Sequence, residues 1–186
     1  MWSLHGRHIN QERLAIGEEP IRFGVGIHTG EIMLGTIGEE KRMDGTVISD
    51  AVNLATRLEG LSKIYGVVTI ISRHTLDRLK RPDRFRFRLL DVVQVKGKQI
   101  SVEIYEALAP GLCTDDDYKI ALLDEFSAAM QLYRDRDFVA GQLAFSALLD
   151  SNPQDSVARL YVGRCEALAQ SGVLENWSGA TVFEQK

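Results

Sequence analysis

Between Arg42 and Glu59 the sequence passes from a short β-prone run, Thr46-Val-Ile48, directly into a helix, and no other stretch constrains the fold as tightly. At about 100° per residue, Ala51, Leu54, Ala55, Leu58 and Leu61 gather on one side of that helix. Asn53 and Arg57 share a strip one turn apart, away from the apolar centre. Ser49 or Asp50 offers an N-cap, and Gly66 a stop after about Tyr65. An amide and a guanidinium aimed at one place are fixed, non-titrating donors, which suits an oxyanion or a transferring phosphoryl group. The plain alternative is a solvated helix face.

The flanking segments read as the platform for this helix. Met1 to Ala15 is broadly helical and ends at Gly17-Glu-Glu-Pro20. Ile21–Ile27 and Glu31–Ile37 are β-prone runs around His28-Thr-Gly30, which predicts a hairpin. Gly24, Gly26, Gly30, Gly35 and Gly38 lie within or beside these strands instead of opening a helix. That argues against a dinucleotide-binding fingerprint and points to bulges or close backbone approach. His28 at the turn reads as a local hydrogen-bonding residue, not a metal ligand.

Beyond the helix, Val67–Ile71 is a buried-strand candidate and Arg73 to Lys80 a short helix. Arg84 to Leu89 alternates with strand period, placing Arg84, Arg86 and Arg88 on one face, either as a charged edge strand or as a phosphate-facing patch. Val92–Val95 and Ile100–Tyr105 form a hairpin around Lys96-Gly-Lys98. Hairpins without repeated βα crossovers predict an α+β fold with an antiparallel sheet.

A length of 186 residues with 45% hydrophobic content allows one large domain or two small ones, and a formal charge of -4 without a basic stripe argues against nucleic-acid binding. Cys113 and Cys165 suggest neither a disulfide scaffold nor a zinc site, so a reducing, cytoplasmic setting is expected. No apolar run approaches the ~20 residues of a membrane span. Ala109-Pro-Gly111 and Asp115-Asp-Asp117 mark a composition shift, which divides the chain into residues 1–108, a linker over 109–117 and a helical tail over 118–186. In the tail, Phe126, Leu132, Tyr133, Asp137-Phe138, Gly141, Phe145, Leu149 and Pro153 follow much of the tetratricopeptide (TPR) spacing. Fewer than two units are present, so the tail should pack on itself, on the platform or on a protein partner, with Trp177 and Phe183 as anchors.

Taken together, Ile21 to Gly38, Thr46-Val-Ile-Ser-Asp-Ala-Val-Asn-Leu-Ala-Thr-Arg-Leu-Glu59 and Val95-Lys-Gly-Lys98 resemble the C-terminal portion of the class III adenylate/guanylate cyclase catalytic domain, over about Gln11 to Leu108. The resemblance implies a partial, ferredoxin-like cyclase domain with a TPR-like helical extension. It implies cyclisation of ATP, with GTP second, by attack of the ribose 3′-oxygen on the α-phosphate and loss of pyrophosphate, for intracellular signalling. By resemblance, Asn53 orients the ribose and Arg57 stabilises charge on the α-phosphate, while Thr46 recognises the base and Lys96, with Lys98 a second candidate, meets the terminal phosphates.

The family uses Mg2+ or Mn2+ held by two aspartates, and the resemblance places those, with a purine-recognition lysine, upstream of Met1. No residue of this chain is therefore assigned as a metal ligand, and Asp44 and Asp50 are not promoted to that role. Family members pair head to tail, so a homodimer, or pairing with a complete cyclase subunit, is expected. Gly45 and Ser49 replace a tyrosine and a glycine common in the motif, which predicts a looser start to the helix. The alternative reading is a catalytically inactive cyclase-homology and TPR-like interaction module.

Overall fold

A computed structural model describes residues 2–21, 23–37, 44–94, 101–111, 114–174 and 177–182. The helix on which the sequence centres, here α2, runs from Asp50 to Tyr65. Before it come α1 (Trp2–Ala15), β1 (Val25–Ile27), β2 (Met33–Ile37) and β3 (Asp44–Ile48). After it come β4 (Thr69–Ser72), α3 (Arg73–Leu76), a 3-10 turn (Pro82–Arg84), β5 (Arg86–Gln94) and β6 (Ser101–Leu108). Beyond β6 come α4 (Thr114–Ala121), α5 (Leu123–Arg134), α6 (Phe138–Ser151), α7 (Ser156–Ser171) and a short β7 (Thr181–Val182).

The expected α+β class holds. The main sheet has the order β1-β4-β6-β5-β7, and β6 runs antiparallel to both β4 and β5. β1 is parallel to β4, however, and β7 to β5. The first of these parallel pairings corrects the predicted hairpin between Ile21–Ile27 and Glu31–Ile37. β2 leaves β1 and pairs antiparallel with β3 in a separate two-stranded sheet, Met33 opposite Ile48 and Ile37 opposite Asp44. Parallel strands need a crossover of a dozen or more residues. The segment from His28 to Val68, including α2, is that crossover, so His28-Thr-Gly30 leads the chain away from β1 instead of turning it back.

Both ends of α2 are specified chemically. Ser49 accepts the N–H of Ala51 at 3.0 Å and donates its own hydroxyl to the carbonyl of Glu31 at 2.6 Å. Ser49 thus ties the start of the helix to the segment before β2, contrary to the expected loosening. At the other end Gly66 adopts φ 65°, a left-handed cap whose N–H reaches the Ser62 carbonyl.

The tail packs on the platform. One apolar cluster runs from Leu58, Ile70, Leu90 and Ile104 into Phe126, Phe145, Val157 and Tyr161, and full burial of each such side chain contributes roughly 1.5–3 kcal/mol. Trp177 closes it, meeting Tyr133 and Phe138 edge-on at 5.4 and 5.5 Å between ring centroids. Phe183 lies outside the described residues. The alternating arginines split: Arg84 and Arg86 are exposed, whereas Arg88 is buried. Its guanidinium holds Glu106 Oε2 at 2.6 and 3.0 Å and also pairs with Asp155. Lys119 joins Glu106 at 2.9 Å and Asp115 at 2.7 Å. These charges take up one another's hydrogen-bonding capacity, as buried ions must. Arg88 is therefore neither an edge-strand charge nor a phosphate-facing one.

Candidate functional site

The floor under α2 is made of glycine backbone. A Cβ at Gly24 would stand 1.8 Å from Ser62 Oγ, one at Gly26 2.2 Å from the carbonyl oxygen of Ala55, and one at Gly30 2.8 Å from the Cβ of Ala51. As the chain ascends from Gly24 to Gly30, α2 descends from Ser62 to Ala51, so the two run side by side in opposite directions. The close approach expected of Gly24, Gly26 and Gly30 is realised, and its purpose is to seat the helix.

With Ala51, Leu58, Leu61, Ser62 and Tyr65 turned into the core, the opposite strip is displayed. Asn53 is exposed and Arg57 half-exposed, and among the described residues neither side chain is engaged in a hydrogen bond or ion pair. Five donors in a planar fork stand one turn from an amide on a helix that cannot sink further into its floor. Such an arrangement suits an anionic group arriving from solvent.

The remaining sequence-predicted residues are less fully placed. Thr46 sits in β3 opposite Gly35, just ahead of α2, but its side chain lies outside the described residues. Lys96 and Lys98 also lie outside the described residues, between Gln94, the last residue of β5, and Ser101, the first of β6, which pair with each other. Among the described residues no three His, Cys, Asp or Glu side chains come together in a group that could hold a metal ion.

A profile of the family described as "Adenylate and Guanylate cyclase catalytic domain" matches residues 1–107. The chain belongs to this cyclase family. It is 47% identical over 90 residues to an adenylate cyclase of Anabaena cylindrica, covering 48% of this chain and 18% of that protein. It is 34% identical over 146 residues to the terminal-differentiation-specific adenylate cyclase of Dictyostelium discoideum, covering 78% of this chain and 7% of that one. The chain thus spans a small part of the length of these relatives. Among solved structures it is similar to the adenylyl cyclase CyaB of P. aeruginosa (32% identity, TM-score 0.47, 57% of this chain and 53% of that one). It is also similar to the guanylyl cyclase Cya2 (34% identity, TM-score 0.44, 59% and 53%).

Around the cyclase motif lie two further clusters of polar contacts, one at the end of β1 and one at the far end of α2. His28 Nδ1 is 2.7 Å from Ser72 Oγ, and Thr29 and Thr75 join hydroxyls at 3.2 Å, linking the end of β1 to α3. Burial, then the neighbouring His74 and Arg78, hold the His28 imidazole below its ordinary pKa. This agrees with the local hydrogen-bonding role expected of His28. At the far end of α2 the Tyr65 hydroxyl donates to Asp91 Oδ2 at 2.6 Å, and Arg164 and Thr181 reach the same oxygen at 2.7 Å each. Asp91 follows a register shift in β5, between Leu89 and Asp91, that turns its carboxylate inward. Tyr65 and Asp91 carry no motif. The N-cap pattern at Asp155-Ser156 was the one available signal for this corner, since Asp155 accepts the N–H groups of Val157 and Ala158.

Proposed function

We propose that this chain supplies the transition-state half of an adenylate cyclase site, for a reaction that turns ATP into cyclic AMP and pyrophosphate in intracellular, cytoplasmic signalling. The observation that carries the reading is the displayed Asn53–Arg57 strip on a helix seated against the glycine floor of β1. In the reaction the ribose 3′-oxygen forms a bond to the α-phosphorus, the bond to the bridging oxygen of the pyrophosphate breaks, and the 3′-hydroxyl proton is lost. Asn53 holds the ribose so that the 3′-oxygen lies in line, and Arg57 offers paired N–H donors to the α-phosphate oxygens as charge moves onto them. Thr46 meets the adenine edge, and Lys96 with Lys98 meets the terminal phosphates. Divalent ions, Mg2+ or Mn2+, neutralise the triphosphate in this family. Here they would be held by another subunit, so the competent species is a homodimer or a pair with a complete cyclase subunit. Residues 1–108 serve as the cyclase portion, 109–117 as the connecting segment and 118–186 as a TPR-like extension that also offers a surface for a protein partner.

The test is complementation. The chain is mixed with a full-length cyclase of the family whose matching asparagine and arginine have been replaced, and cyclic AMP is measured with ATP and Mn2+. Product from the mixture, and from neither component alone, is expected. No product from the mixture overturns the half-site reading and leaves a cyclase-homology interaction module.

A further inference from the structure

The helix that carries Asn53 and Arg57 is held at its far end by the tail. Ser156, the first residue of α7, donates its hydroxyl to the Tyr65 carbonyl at 2.6 Å, with the Gly66 carbonyl at 3.3 Å. These are carbonyls that a helix C-terminus leaves without partners. About two turns along α7, Arg164 reaches Asp91, which also receives the Tyr65 hydroxyl, and the Arg164 guanidinium lies over the Tyr161 and Tyr65 rings at 5.0 and 5.8 Å. Burial, reinforced by the Asp91 carboxylate, pushes the Tyr65 phenol far up, so it remains a donor at any physiological pH.

The floor under α2 explains why this corner matters. Gly24 and Gly26 offer backbone with no side chain to interlock with the helix, so they fix how close α2 lies but contribute little to its rotation or its position along the groove. A rotation of about 10° moves the tip of a long side chain by about 1 Å, and misplacement on that scale can lower a rate by about a hundredfold. Tyr65, eight residues beyond Arg57 and so about 12 Å along the axis, is where a side chain of α2 is locked by directional bonds to another layer.

We propose that Ser156 and Arg164 of α7 are positioning residues for cyclisation, acting through Tyr65, Gly66 and Asp91 to set the register of α2 and hence the aim of Asn53 and Arg57. The helical extension is in this sense part of the catalytic apparatus. This rests on the half-site reading above.

The test compares Tyr65→Phe, Ser156→Ala and Ser156→Thr in the complementation mixture, with Leu148→Ala, a buried position of α6, as a tail-core variant that loosens the fold and makes none of the corner's side-chain bonds. Tyr65→Phe and Ser156→Ala are expected to lower kcat about tenfold while KM for ATP stays within about twofold. Ser156→Thr, which keeps the hydroxyl, restores kcat, and Leu148→Ala leaves it unchanged at temperatures where the fold persists. Unchanged kcat in both corner variants, or an equal loss in Leu148→Ala, overturns the proposal. If the unmodified chain gives no product, the half-site reading fails by itself, and amide hydrogen exchange on the full chain decides the positioning. The α2 amides should exchange faster in Tyr65→Phe and Ser156→Ala than in Leu148→Ala, and equal exchange in all three overturns it.

Discussion

Gly26 lies against α2 so closely that its missing Cβ would stand 2.2 Å from the Ala55 carbonyl and 2.3 Å from the Glu59 nitrogen. Both are backbone atoms, which no rotamer change can move aside. Gly26→Ala must therefore push the helix off β1 or bend the strand, and overpacking where the neighbours cannot yield costs about 3 kcal/mol or more. Urea unfolding should show that loss. Gly60→Ala, where nothing lies within 4 Å of the added methyl, should be neutral or slightly stabilising.

Glu106 stands between two buried cations, Arg88 at 2.6 Å and Lys119 at 2.9 Å, with side chains 1% and 6% exposed. Burial works against both charges, but Glu106 and its acidic neighbours hold both cations above their ordinary pKa values. Glu106→Gln removes the compensating charge and keeps the shape, so a loss of about 3–5 kcal/mol is expected from chemical denaturation. A change under about 1 kcal/mol would mean that water reaches these cations.

The folded state favours neutral His28, chiefly through burial. Just below the ordinary pKa of 6.5 the unfolded chain therefore binds more protons than the folded one. Stability then rises with pH across that window and is lost as pH falls through it. His28→Asn should flatten this part of the stability profile between about pH 5 and 7. An unchanged slope would assign the dependence to other groups.

Val25 and Ile27 are exposed on β1, which ends the main sheet, and among the described residues no strand pairs with its outer edge. Unprotected edges of this kind recruit strands from other chains. Light scattering should give a mass above that of one chain, and Val25→Lys with Ile27→Lys should shift it toward the monomer. A monomer for the unmodified chain would count against edge pairing.

Where structure follows from local pattern, it was legible in the sequence. α2 starts at its serine cap and stops at its glycine, and the in-strand glycines mark close backbone approach. The error over β1 and β2 had a physical source. A run of β-prone residues around a glycine-containing turn satisfies the hairpin pattern, while the parallel partner, β4, lies some forty residues on and leaves no local mark. Arg88 shows the same limit. Strand alternation assigns it to a face, but whether that face meets water or Asp155, 67 residues away, depends on where the tail docks. Tyr65, Asp91 and Arg164 were invisible for this reason, because their meaning lies in a contact and not in a spacing. The clustering of Asn53 and Arg57, by contrast, is set by helical period alone.

If Arg57 of this chain acts on the α-phosphate in a site completed by another subunit, cyclic AMP formation must depend on its guanidinium. The most direct measurement is cyclic AMP formation by the complementation mixture with the native chain, Arg57→Lys and Arg57→Ala. Removing a donor to developing charge costs about 10²–10³ in rate, and lysine lacks the planar fork that grips two oxygens. The expected result is product with the native chain and a loss of about a hundredfold or more in both variants. Full activity with Arg57→Ala would contradict the claim.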